Sequence, residues 1–96
     1  MAHIKESGIL TADKLVHTGE CRVYSITIAY TGMTAGERIT LIDGTTVAGH
    51  DEVPFIVPAA NGTITKEWPQ GKLFETGVFF NKGATLGSVF AELSWG

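Results

Sequence analysis

Three histidines, one cysteine and one short acidic run are the residues of this chain from which chemistry could be built. His3, His17 and His50 lie far apart in sequence, with no His-x-His or Cys-His spacing, so a zinc or iron site would have to be assembled wholly by the fold. Exposed histidines are the simpler reading. Cys21 has only Arg22 beside it as a source of positive charge, and no neighbouring base, so a buried inert thiol is expected rather than a nucleophile. His50, Asp51 and Glu52 form the densest polar cluster, and with Asp43 they could offer carboxylate oxygens to calcium. Their spacing matches no calcium loop, and a solvated connection between strands is expected instead. The sequence contains no GxGxxG, P-loop or GxSxG pattern, so its glycines read as turn formers. The chain is expected to be neither an enzyme nor the carrier of a metal or cofactor.

The elements that position these residues are strands. In ECRVYSITIAYTG, Tyr24, Ile26, Ile28 and Tyr30 fall on one face of an extended segment and Val23, Ser25, Thr27 and Ala29 on the other. RITLIDG alternates in the same way, ends on Asp43–Gly44, and is expected to pair with the first strand. EVPFIVPAANG combines a β-rich run with two prolines. Pro54 and Pro58 remove donors from one edge, leaving Ile56 between them, so an edge strand is expected with Phe55 and Val57 on one face and Ile56 on the other. Asn61–Gly62 reads as the turn of a hairpin into TITKEWP, and ATLGSVFAELSWG sets Val89, Ala91, Leu93 and Trp95 against Ser88, Phe90, Glu92 and Ser94. With 96 residues, no linker and no helical period, the expectation is one all-β domain over residues 9–96, an antiparallel β-sandwich of jelly-roll type, preceded by a flexible arm over residues 1–8.

Composition narrows the partners. A formal net charge of −3 with seven scattered Lys and Arg residues argues against nucleic acid. MAHIKESG has no apolar signal core, no window approaches the roughly 18 apolar residues of a membrane span, and the lone cysteine allows no internal disulfide. A soluble protein made in a reducing cytoplasm is expected. The adjacent Phe79 and Phe80 must point to opposite faces of a strand, and Phe90 lies on the polar parity of its own, so apolar side chains seek cover by a loop or by another chain. A homo-oligomer is expected, with Ile4, Lys5, Phe55, Ile56, Phe79, Phe80 and Phe90 as candidate contact residues. If Trp68 and Trp95 shared one flat exposed surface, they would instead suggest a glycan- or receptor-binding module.

The segments HTGECRVYSITIAYTG, ITLIDGTTVAG, VPFIVPAANGT and FETGVFF, taken in that order, resemble the small β-sandwich structural proteins that tailed bacteriophages encode near their capsid genes. The resemblance spans residues 16–95. It implies a virion component, such as a capsid decoration or cement protein, that binds the outer face of the major capsid protein lattice as a symmetric homo-oligomer, a trimer. It brings no catalytic residues. The positions that recur, Gly19, Tyr24, Asp43, Gly44, Gly62, Thr76 and Gly77, are turn and core residues. The long repetitive shaft of a fibre is absent from this chain.

Overall fold

The computed structural model describes residues 4–83 and 87–96, so His3 and much of the loop before the last strand lie outside the described residues. Eight strands follow one another: β1 (Lys5–Glu6), β2 (Lys14–Thr18), β3 (Cys21–Thr31), β4 (Arg38–Asp43), β5 (His50–Ile56), β6 (Gly62–Phe74), β7 (Gly77–Asn81) and β8 (Ser88–Trp95). They form two antiparallel four-stranded sheets, ordered β1-β8-β3-β6 and β2-β7-β4-β5. We call them the first and second sheets. First pairs with last, second with seventh, third with sixth and fourth with fifth, which is the wrapping order of a jelly roll. All but one of the connections between successive strands cross from one sheet to the other, and only β4 and β5 form a hairpin.

Two pairings differ from the sequence-based expectation. β3 and β4 do not pair; they face each other across the core as central strands of opposite sheets. β5 and β6 form no hairpin either, because Asn61–Gly62 lies in a crossover between the sheets. There the Asn61 side chain accepts a hydrogen bond from the Gly32 N–H at 3.0 Å. A two-residue turn signal specifies a local bend, but not whether the next strand joins the same sheet. The segment expected as a free arm over residues 1–8 is docked from Lys5 onward. Lys5 and Glu6 pair with Trp95 and Ser94, and the Ser7 N–H donates to the Leu93 carbonyl at 2.9 Å.

The expected alternation holds in most strands. Val89, Ala91 and Leu93 are buried, as are Ile26, Ile28 and Tyr30. Tyr24 departs from its expected face. The register of β3 against both neighbours shifts between Val23 and Ser25, so Val23 and Cys21 enter the core while Tyr24 turns outward. Opposite it, β6 accommodates the shift with a four-residue excursion, Trp68 to Gly71, between the pairs Ser25↔Glu67 and Val23↔Lys72. Gly71 has φ +80°, and a Cβ there would lie 2.8 Å from the Arg22 Cβ, so only glycine lets the excursion fold down against β3.

β5 is an edge strand, as the prolines require. Val57 donates its N–H to the Glu37 carbonyl at 2.9 Å, so by alternation the nitrogens of Pro54, Ile56 and Pro58 face away from β4. Phe55 and Val57 are buried and Ile56 is exposed. The other three edges carry guards of their own. β1 is two residues long, β2 is bulged between Leu15 and His17, and β6 has its excursion together with Lys66 on an inward register position opposite Ile26.

Ile28 is fully buried in mid-strand, where an unpaired carboxylate costs several kcal/mol against a total stability of about 5 to 15. Ile28→Asp is expected to abolish the cooperative thermal transition, whereas Tyr24→Ser is expected to retain it. Circular dichroism melting checks both, and equal loss in the two variants would contradict the outward turn of Tyr24.

Candidate interaction surfaces

The groups that could have done chemistry are dispersed. His17 and His50 sit on β2 and β5, the opposite edges of the second sheet. His17 points into the sandwich, where its ring lies 4.5 Å from that of Trp95, while Lys5 Nζ stands 5.1 Å from the Trp95 ring. His50 instead contacts Glu52 at 3.3 Å, and Lys72 Nζ holds the other oxygen of the same carboxylate at 2.9 Å. Cys21 is buried, and burial, joined by the charge of Asp43, pushes its thiol above the ordinary range. Arg22 does not activate it, because its guanidinium donates to the Gly71 carbonyl at 3.1 Å on the other side of the strand.

Of the four groups considered for calcium, His50 and Glu52 contact each other, and the other two carboxylates are engaged elsewhere. Asp51 pairs with Arg38 at 4.0 Å, Glu52 with Lys72, and Asp43 with backbone N–H groups. Among the described residues no group of three or more metal-capable side chains comes together. Asp43 is a structural clamp: its carboxylate accepts from the N–H groups of Glu75 at 3.0 Å, Thr76 at 2.8 Å and Gly77 at 3.3 Å, which fixes the turn between β6 and β7. Burial alone would raise the Asp43 pKa. The three N–H donors and the nearby His50 outweigh it and hold the group below its ordinary value.

Surface relief is slight. An open trough of about 330 Å³ lies on the outer face of the first sheet, lined by Glu6, Ser25, Thr27, Glu92, Leu93 and Ser94. Its floor includes a hydroxyl pair, Ser25 Oγ to Ser94 Oγ, at 2.7 Å. Glu6, Glu92 and Glu67, all on outward register positions of this sheet, make no ion pair among the described residues. Phe90 stands among these polar residues, 53% exposed. Ile4 and Ile9 are also exposed, and Ile9 precedes the Leu10↔Ala91 bridge, so an apolar margin follows the β1–β8 edge.

The outer face of the second sheet is different. Leu15, Phe79 and Ile42 are cross-strand neighbours in one row, with Asp51 at its end. Ile42 is fully buried although it points away from the core, because the loop 44–49 folds over it; a Cβ on Gly49 would lie 2.7 Å from the Ile42 Cγ2. Val47 on that loop and Ile56 on β5 remain in solvent. Among the described residues, the charges at outward register positions of this face are Arg38 and Asp51, which pair with each other.

The candidate contact residues therefore divide. Ile4, Ile56 and Phe90 are exposed, and Phe79 is half-buried on the outer face of the second sheet. Phe55 and Phe80 are not surface residues: both point between the sheets and belong to the core. Lys5 lies against Trp95. Trp68 and Trp95 form no exposed platform, since each packs against the core from its own strand, and the Trp95 indole N–H is buried without an acceptor among the described residues. Ile9, Leu15 and Val47 were not singled out from the sequence. Val47 carried a signal there, an apolar residue inside a glycine-flanked turn. No protein-family model matches this chain, and no curated protein does.

The Asp43 clamp generates a pH dependence of known sign. A carboxyl whose pKa is lowered by folding contributes stability above its unfolded value, near 3.8, and that contribution is lost as pH falls through the lower folded-state value. Asp43→Ala is expected to cost about 0.5–1.5 kcal/mol at neutral pH, from the hydrogen bonds lost at this largely exposed turn, with the difference from wild type narrowing below pH 3.8. Urea unfolding across that range measures it.

Proposed function

We propose that this protein is a non-enzymatic virion structural component of a tailed bacteriophage, a capsid decoration protein that binds the outer surface of the assembled lattice as a symmetric homo-oligomer. The observation that carries this reading is the apolar margin of Ile4, Ile9 and Phe90 beside the guarded β1–β8 edge, on a molecule whose reactive groups are dispersed. Exposed aromatic and aliphatic anchors set in a polar surround are what a protein interface uses. The jelly-roll wrapping adds support by analogy, since this architecture recurs in viral capsid proteins, although a fold alone assigns no function. The resemblance of residues 16–95 to phage β-sandwich proteins points the same way.

The lattice contact has a stated chemistry in this reading. Phe90 and Ile9 anchor one end of the margin and Ile4 the other, and the carboxylates Glu6 and Glu92, which make no ion pair among the described residues, meet basic groups of the capsid subunits. Several copies on one symmetric body then engage several lattice sites together, which multiplies weak single contacts.

Point variants test this better than truncation, because deleting residues 1–8 would also strip β1 from β8. Phe90→Asp and Ile4→Asp are expected to leave melting close to wild type, as both side chains are in solvent, and to abolish co-sedimentation with capsids that lack the protein. Co-sedimentation equal to wild type removes the margin as the contact, and failure of the wild-type protein to bind capsids removes the decoration role.

A further inference from the structure

We propose that the outer face of the second sheet is where two copies of this chain meet, face to face about a two-fold axis. Each of the four strand edges is interrupted: β1 by its length, β2 by a bulge, β5 by Pro54 and Pro58, and β6 by Lys66 and the Trp68–Gly71 excursion. Strand addition is thereby disfavoured, and association falls to the two broad faces. The outer face of the first sheet carries three carboxylates, Glu6, Glu67 and Glu92, that make no ion pair among the described residues, against one cation, Arg22, so two such faces brought together repel.

The second sheet lacks that obstacle. Arg38 and Asp51 neutralise each other within one copy, and the loop residues Thr45 to Ala48 are uncharged. Leu15, Val47, Pro54, Ile56 and Phe79 supply its apolar surface, with Val47 56% and Ile56 61% exposed. The molecule measures 39 × 25 × 18 Å, so the outline of a broad face is about 1,000 Å², and a stable interface, at ~800 Å² per partner, takes up most of it. One face pairing with itself closes as a dimer, in place of the trimer that the family resemblance implies. The inference rests on the proposed function only in so far as a decoration protein acts in several copies, and the sheet that faces the lattice is left free.

The experiment is light scattering of the full chain from low to high micromolar concentration. The wild type is expected at twice the monomer mass. Val47→Lys combined with Ile56→Lys is expected to show loss of the dimer, with unchanged far-ultraviolet circular dichroism and melting, while Phe90→Lys on the opposite face stays dimeric. Leu15→Lys, on the same face but in β2, repeats the test should the double variant melt early. A monomeric or trimeric wild type, a double variant that remains dimeric, or dissociation by Phe90→Lys overturns the proposal. A wild type that is dimeric but fails to bind capsids overturns the decoration role alone.

Discussion

β3 is the strand on which the remaining structure depends, because both of its edges must be paired while one of its faces must be dry. It runs eleven residues, bonds β8 on one side and β6 on the other, and sends Val23, Ile26, Ile28 and Tyr30 into the core. An unpaired backbone group at that depth costs as much as a lost hydrogen bond, so neither neighbour is dispensable. β4 answers it from the second sheet, buried on both faces: Ile39 and Leu41 meet the core, and Ile42 lies under the loop 44–49. Around these two central strands the chain has to wrap, which puts the first strand beside the last and the second beside the seventh.

The register shift at Tyr24 shows how one local departure propagates. It brings Cys21 and Val23 inward, forces the Trp68–Gly71 excursion in β6, and requires glycine where the excursion meets Arg22. The same excursion interrupts the one long free edge of the first sheet. Features that protect a monomer from strand addition thus follow from the way its core is closed, and they leave the faces as the surfaces available to partners.

The faces differ because their outward residues differ in charge, not in backbone. Both sheets are twisted, antiparallel and four-stranded, yet one shows Ser25, Thr27, Glu67 and Glu92 to solvent and the other shows Leu15, Phe79 and Ile56. A flat protein with two chemically distinct sides can hold a like partner on one and an unlike partner on the other. That arrangement suits a small component of a large assembly, where hydrophobic contact and charge complementarity select different neighbours.

Much of this was legible in the residues. Alternation in β8 separated Val89, Ala91 and Leu93 from Phe90, and the spacing of Pro54 and Pro58 identified an edge strand with Ile56 outward, because the side-chain period and the missing donors are properties of a single strand. The all-β class was readable for the same reason. The partner of each strand was not. Asn61–Gly62 opens a crossover and not a hairpin, Phe55 and Phe80 are core and not contact residues, and Tyr24 turns outward. Each of these outcomes depends on which distant strand supplies the hydrogen bonds and which sheet lies opposite. A local pattern fixes which way a side chain alternates, while only the closed pair of sheets decides which of the two directions is water.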